Sequence, residues 1–332
     1  MPADPRPRSQ IIGTGGYAPE RVLTNFDLEK MVDTSDQWIR ERTGIRERRI
    51  ARADETTSDM ALVAARRALE AAGLEAKDLD MIVVGTISGD MPMPACAAFL
   101  QRKLGITDVP AFDISAACAG FLYGLSIGDQ FIRSGMHRHV LVVGAELLSR
   151  VMDWEDRTTC VLFGDGAGAA VLGPASDDGR GVLSTRLYTD STLVESLRIP
   201  AGGSKERISP ASIAEKRDKV FMNGQDIFKV AVKNLTRASA NALTDAGLSA
   251  HDVRWVVPHQ ANLRILSQVA QRLDIPLERF VINIDRYGNT SSASIPIALD
   301  EAVRDGRIQR GDTVLMCALG GGISWASALV RV

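Results

Sequence analysis

A chain of 332 residues, 45% hydrophobic and 24% charged, has the composition of a soluble globular protein with room for one large domain or two of ordinary size. Its formal net charge of −2 excludes general nucleic-acid affinity, so any basic docking surface must be local. No run approaches the roughly 18 apolar residues of a membrane span, residues 1–8 lack the apolar core of a signal peptide, and four scattered cysteines without Cys-x-x-Cys spacing point to a reducing cytoplasm and no structural metal.

Ile11-Ile12-Gly13-Thr14-Gly15-Gly16 is an apolar strand running into glycines. A dinucleotide-binding loop would need a third glycine at position 18, where Ala18 stands. Residues 25–32 look helical, and residues 36–49 form a dense basic segment around Trp38. That segment is either a solvated, salt-bridged surface or a clamp for a phosphorylated ligand with Trp38 stacking on a ring. A helix over 57–72 leads to a buried strand, Met81-Ile82-Val83-Val84-Gly85.

Residues 109–112 end another strand, and residues 113–121, Asp-Ile-Ser-Ala-Ala-Cys-Ala-Gly-Phe, turn into a helix over 120–133. Cys118 in that turn meets unpaired backbone N–H groups and the positive end of the helix dipole, which favour the nucleophilic thiolate. Its neighbours Ser115, Ala116, Ala117, Ala119 and Gly120 are too small to block approach to the sulfur. The competing reading is an inert core thiol, since cysteine is among the most buried residue types. A strand over 140–144 follows.

The second half repeats the first. Ala72-Gly73-Leu74-Glu75-Ala76-Lys77-Asp78-Leu79 recurs as Ala246-Gly247-Leu248-Ser249-Ala250-His251-Asp252-Val253, each after a helix and before a Val-Val strand. Counting back from Gly135 and Gly306 matches Asp129 with Asp300, Arg133 with Arg304, and Cys118 with Asn289. Two copies of one α/β unit imply largely parallel sheets covered by helices and packed about a pseudo-twofold axis. The join falls near 173–180, giving halves 1–176 and 177–332. Residues 177–224, polar and glycine-rich without a clear period, read as a lid or loop-rich pocket wall.

Three polar motifs stand at strand ends. His259, in Pro258-His259-Gln260-Ala261-Asn262, is by itself a satisfied structural histidine. Asn289, in Gly288-Asn289-Thr290-Ser291, is by itself a helix N-cap. Gly320-Gly321-Gly322 is by itself a turn. Brought together by the duplication, a cysteine, an imidazole, a carboxamide and a glycine N–H make an acyl-transfer site with two oxyanion holes.

With Cys118, these motifs and Phe163-Gly164-Asp165-Gly166-Ala167-Gly168-Ala169 resemble, in order over nearly the whole chain, those of β-ketoacyl-acyl carrier protein synthase III of the thiolase-like superfamily. The resemblance implies an α/β, thiolase-like fold with two duplicated halves in a five-layered αβαβα arrangement, Cys118 in the first half and His259 and Asn289 in the second. It also implies a cytoplasmic homodimer that uses no cofactor beyond the CoA thioester substrate and binds neither nucleic acid nor membrane. The implied reaction is decarboxylating condensation of an acyl-CoA primer, acetyl-CoA in the simplest case, with malonyl-acyl carrier protein. Cys118 would be acylated with the N–H groups of Cys118 and Gly321 as oxyanion donors. His259 and Asn289 would then donate to the malonyl thioester carbonyl.

The resemblance further places Thr34, Trp38, Arg42 and Arg157 around CoA, and Phe163 beside the acyl channel. Met93 departs from the family's aromatic at the partner's acyl pocket, which puts primer length in question. Lys229, Lys233 and Arg237 at i, i+4 spacing, with Arg264 and Arg272 on the next helix, would dock the acidic carrier protein, although Gln271-Arg272 replaces a frequent Lys-Lys pair. An acyltransferase or condensing paralogue of secondary metabolism and a catalytically silent partner subunit are the other readings. Gly164-Asp165-Gly166-Ala167-Gly168 runs into a strand and is no nucleotide loop. Cys96, Cys160 and Cys317 read as core.

Overall fold

The computed structural model describes residues 9–176 and 178–332. Residues 1–8, read above for a targeting signal, and Asp177, where the second half is taken to begin, lie outside the described residues. Strand β1 (Ser9–Tyr17) opens the chain, and a ribbon of β2 (Arg21–Thr24) and β3 (Glu47–Ile50) encloses α1 (Asn25–Leu28) and α2 (Asp36–Thr43). There follow α3 (Thr57–Ala72), β4 (Met81–Gly85), α4 (Cys96–Leu104), β5 (Ala111–Ile114), α5 (Gly120–Arg133), β6 (Val140–Glu146) and β7 (Gly166–Pro174). Next come β8 (Gly181–Thr189), the short β9 (Leu197–Arg198), α6 (Pro210–Ala214) and β10 (Phe221–Met222). The chain then continues through α7 (Gly224–Asp245), β11 (Trp255–Pro258), α8 (Leu263–Leu273), α9 (Ile284–Tyr287), α10 (Ser294–Arg304), β12 (Thr313–Gly320) and β13 (Ser324–Arg331).

Two sheets carry the fold, in the orders β1-β7-β6-β4-β5 and β8-β13-β12-β11. Each has parallel central strands, β4 beside β6 and β11 beside β12, and antiparallel strands toward one edge. Where β4 pairs with β5 in the first sheet, β11 gains only a single bridge, Val256 to Phe280. The apolar run of β4 is buried at all five positions, as a strand covered by helices on both faces must be.

Three apolar clusters define five layers. Helices α3 and α4 cover the outer face of the first sheet through Met60, Ala64, Ala68 and Leu100. Helices α5 and α10 fill the space between the sheets through Phe121, Leu125, Ile295 and Leu299. Helices α7 and α8 cover the second sheet through Val232, Leu235, Leu266 and Val269. The expected αβαβα layering is therefore present.

The repeat reaches single residues. Gly73 and Gly247 end their helices at φ +65° and +67°, and Gly135 and Gly306 do so at +75° and +78°, a left-handed position that glycine fills without steric cost. The two central helices carry matched buried acids: Asp129 accepts from Ser9 Oγ at 2.7 Å and Asp300 from Thr14 Oγ1 at 2.9 Å. Both acids thus tie the middle layer to β1.

Two expectations change. Helix α5 has 14 residues and α10 has 11, so the first begins three residues earlier in the repeat. The turns that lead into them match Ala117 (φ +45°) with Ser291 (φ +49°), not Cys118 with Asn289. In addition, the beginning of 177–224 is not loop: β8 pairs along β13 as an antiparallel edge strand. Its outer half is solvent-facing, which is why its sequence shows no buried run.

Candidate active site

Cys118 sits in a single 3₁₀ turn, Ala117–Ala119, that runs straight into α5. The end of β12 presses against this turn so closely that a methyl group on Gly320 would overlap the Cys118 nitrogen. The sulfur-bearing residue is only 7% exposed, but it is not sealed in the core. It lines two cavities, of about 360 and about 130 Å³, and shares both with Phe163 and Leu197. Ser115, Ile87, Leu148, Val220 and Gly321 line the larger, and His259, Asn289, Met222, Phe228 and Asn262 the smaller. Cys118, His259 and Asn289 therefore face one enclosed space.

His259 follows β11 and is 2% exposed; its Nδ1 lies 2.7 Å from Ser294 Oγ. Asn289 is held in the lead-in to α10 by the first half of the chain. Its N–H donates to Leu162 O at 2.8 Å and its carbonyl accepts from Gly164 N–H at 3.0 Å. Its side chain is not the N-cap of α10: Oδ1 accepts from Ser291 N–H at 2.8 Å, which leaves the amide Nδ2 to the cavity.

The electrostatics correct the thiolate expectation. Burial pushes the Cys118 thiol up to about 12, with the nearby Glu146 carboxylate raising it further and a hydrogen bond with Ser291 lowering it. The turn and helix end do not offset the loss of water, so the resting group is the thiol. Burial also drives His259 down to about 3, so its ring is neutral. Glu146, at the end of β6, is wholly buried and raised to about 7 by desolvation, although it accepts from Ile87 N–H, Thr86, Ser88, Ser291 and Ser292.

The basic segment around Trp38 is assembled as a clamp. The guanidinium groups of Arg42 and Arg157 lie 4.8 and 5.4 Å from the Trp38 ring centroid. Arg157 donates to Asp33 O at 2.9 Å, and the adjacent Thr34 has a buried hydroxyl without a protein partner. Asn262, on the wall of the smaller cavity, donates to Arg42 O at 3.0 Å, so the clamp stands next to the cavity's rim.

Lys229, Lys233 and Arg237 are exposed on α7, and Arg264 and Arg272 are exposed on α8. Arg264 lies over the ring of Phe228, 5.6 Å from its centroid, and Phe228 lines the cavity. Arg237 instead stacks on Tyr188 and Trp325, away from that rim. Met93 touches neither cavity of its own chain and is 83% exposed. Cys96, Cys160 and Cys317 are buried, as expected of core thiols. Sequence reasoning passed over Glu146, Ser291, Ser294, Leu197 and Phe228. The one available signal was an acid closing the apolar run Val140-Leu141-Val142-Val143-Gly144-Ala145.

Among the described residues, no group of three or more His, Cys, Asp or Glu side chains could hold a metal ion, and no helix is long and apolar enough to cross a membrane.

Residues 112–191 match the family model described as 3-oxoacyl-[acyl-carrier-protein] synthase III, and residues 243–332 match the model of its C-terminal part. The beta-ketoacyl-[acyl-carrier-protein] synthase III of Xanthomonas campestris pv. campestris is 53% identical over 326 residues, 97% of this chain and 98% of that one. The crystal structure of 3-oxoacyl-[acyl-carrier-protein] synthase III from Aquifex aeolicus superposes with a TM-score of 0.90 at 48% identity, covering 98% of this chain and 100% of that one. A priming β-ketosynthase of a polyketide pathway superposes with a TM-score of 0.90 at 38% identity, covering 100% and 98%. The chain is a member of the β-ketoacyl-[acyl-carrier-protein] synthase III family.

Proposed function

We propose that this chain catalyses the decarboxylating condensation of an acyl-CoA primer, acetyl-CoA in the simplest case, with malonyl-acyl carrier protein. The products are 3-ketoacyl-acyl carrier protein, CoA and CO2, and the reaction starts a fatty-acid chain. The observation that carries the proposal is the single cavity shared by Cys118, His259 and Asn289, in a chain of this family. Cys118 takes the acyl group, with its own N–H and that of Gly321 stabilising the tetrahedral oxyanion. After CoA leaves, the malonyl thioester lies between His259 and Asn289, whose amide donates to its carbonyl, so that loss of CO2 gives a hydrogen-bonded enolate. That enolate attacks the acyl-Cys118 carbonyl carbon. The CoA thioester is a substrate, and no cofactor enters.

Trp38, Arg42, Arg157 and Thr34 hold CoA in this proposal, consistent with two guanidinium groups flanking one indole. The apolar larger cavity takes the acyl chain past Phe163. Lys229, Lys233, Arg264 and Arg272 receive the carrier protein. The protein works in the cytoplasm as a homodimer: Ile87 lines the acyl cavity, and the nearby Met91 and Met93 are exposed apolar groups suited to a second copy. Residues 1–176 and 177–332 form the two duplicated halves, with Leu197, Ile199, Val220 and Met222 of 177–224 walling the pocket.

The priming ketosynthase at 38% identity favours a second reading, a condensing paralogue of secondary metabolism. Intact-protein mass spectrometry separates the two. The protein is exposed to a panel of acyl-CoAs and then chased with malonyl-acyl carrier protein. An acetyl adduct, absent in Cys118→Ser and chased to acetoacetyl product, is the expected result. An adduct that malonyl-acyl carrier protein does not move supports the paralogue, and adduct formation at wild-type stoichiometry in Cys118→Ser removes the nucleophile assignment.

A further inference from the structure

Ser294, the first residue of α10, is 2% exposed and has three polar neighbours. Its Oγ lies 2.7 Å from His259 Nδ1, 2.9 Å from Ser291 O and 3.3 Å from Gln260 N. A hydroxyl has one hydrogen to give and two lone pairs to receive with. Ser291 O can only accept, so it takes the hydroxyl hydrogen. Gln260 N–H can only donate, so it takes one lone pair. The remaining lone pair faces Nδ1, which must then carry a hydrogen. All three buried groups are satisfied in this one arrangement, and the alternative tautomer would leave either the Ser291 carbonyl or Nδ1 without its bond, at a cost of about 1–3 kcal/mol.

We infer that Ser294 is a positioning residue that fixes His259 in the Nδ1–H tautomer and thereby presents Nε2 to the Cys118 cavity as a bare acceptor. The imidazole's second nitrogen is set by the bond the first one makes, here with a hydroxyl. What this does for catalysis rests on the acyl-transfer reading above. A buried neutral thiol needs a proton acceptor when it attacks, and the bare Nε2 is a neutral one facing the same space. As the Cys118 Sγ–C bond forms, the thiol proton passes to Nε2. As the C–S bond to CoA breaks, that proton passes to the departing CoA sulfur, so no net proton is gained or lost. The same tautomer modifies the expectation that both His259 and Asn289 donate to the malonyl thioester carbonyl, because donation falls to Asn289 Nδ2.

The test uses the full chain labelled with ¹⁵N-histidine, in which four histidines give four ring systems. Long-range ¹⁵N–¹H correlation distinguishes the tautomers, and loss of one set in His259→Asn assigns His259. The expected wild-type spectrum has a protonated Nδ1 and a pyridine-like Nε2. Ser294→Ala should lose that pattern and slow Cys118 acylation by acyl-CoA roughly tenfold or more. A wild-type Nε2–H tautomer overturns the inference, as does a Ser294→Ala protein with an unchanged tautomer or full acylation rate. If Ser294→Ala does not fold, the wild-type spectrum decides alone. A wild-type Nδ1–H pattern without an adduct from any acyl-CoA supports the tautomer and sinks the functional reading, so the two failures are distinguishable.

Discussion

Phe163 and Asn289 meet as neighbours in a parallel β-bridge, although 126 positions separate them in the chain. One comes from the loop ahead of β7 and the other from the lead-in to α10, so the backbone of the first half sets where the second half's carboxamide stands. The acyl-channel wall and the proposed enolate donor are thus one rigid unit, pinned by Asn289 N–H to Leu162 O and Gly164 N–H to Asn289 O.

Because those bonds are made by the backbone, truncating the Asn289 side chain should leave the unit in place. Asn289→Ala is expected to keep acylation of Cys118 near the wild-type rate and to slow malonyl decarboxylation by about 10²–10³. Single-turnover acylation followed by CO2 release measures both on one sample. Equal losses in the two steps would show that Asn289 serves the fold and not the enolate.

Gly320 gives a steric prediction. A methyl there would overlap the Cys118 nitrogen and come within 2.9 Å of Ala117 Cβ. The surrounding strand and turn are backbone and cannot move aside cheaply, so Gly320→Ala should displace the Cys118 turn and cost about 1–3 kcal/mol. Denaturant unfolding gives the stability loss, and the acyl-CoA adduct assay should show acylation reduced at least tenfold. Wild-type stability with full acylation would mean that β12 does not buttress the nucleophile.

Much of the scaffold was legible because its constraints fall on residue type. A left-handed helix end wants glycine, so Gly73 and Gly247, or Gly135 and Gly306, advertise the duplication before any fold is known. Strands covered on both faces must be apolar throughout, so β4 and β6 stand out. The edge strand β8 did not, because half of it faces water. Nor could a count along the chain detect that α5 starts three residues before its counterpart, which is how Asn289 came to be matched with Cys118. The thiolate expectation failed for a related reason: the helix dipole can be read locally, whereas burial and the approach of Glu146 depend on segments far away in sequence. Ser291 and Ser294 look like ordinary capping hydroxyls until their partners are seen.

Glu146 should leave a signature in the pH dependence of stability. Burial raises its carboxyl from 4.5 to about 7 in the folded chain. The protonated form is the one the fold accommodates, so its contribution is complete below pH about 4.5 and is lost as pH rises through about 7. The gap corresponds to about 3 kcal/mol. Glu146→Gln, which cannot ionise, should lack this component. Denaturant unfolding at intervals from pH 5 to pH 8 is expected to show wild type losing about 3 kcal/mol relative to the variant. Parallel curves would mean that Glu146 titrates alike in both states.

The carrier-protein surface can be tested through charge, because Arg264 stands over Phe228 at the cavity wall whereas Lys229 is one residue further along α7. An acidic partner docked there would place its substrate arm over the opening to Cys118. Lys229→Glu and Arg264→Glu should each raise the KM for malonyl-acyl carrier protein several-fold with little change in kcat, since rim charges act on encounter and register. The effect should shrink at high salt, where exposed charges are screened. Acylation by acyl-CoA does not use this surface and should be unaffected. Arg237→Glu is the internal contrast, because Arg237 is stacked on Tyr188 and Trp325 away from the opening. A KM shift in Arg237→Glu as large as in Arg264→Glu would move the docking surface along α7 and away from the cavity rim.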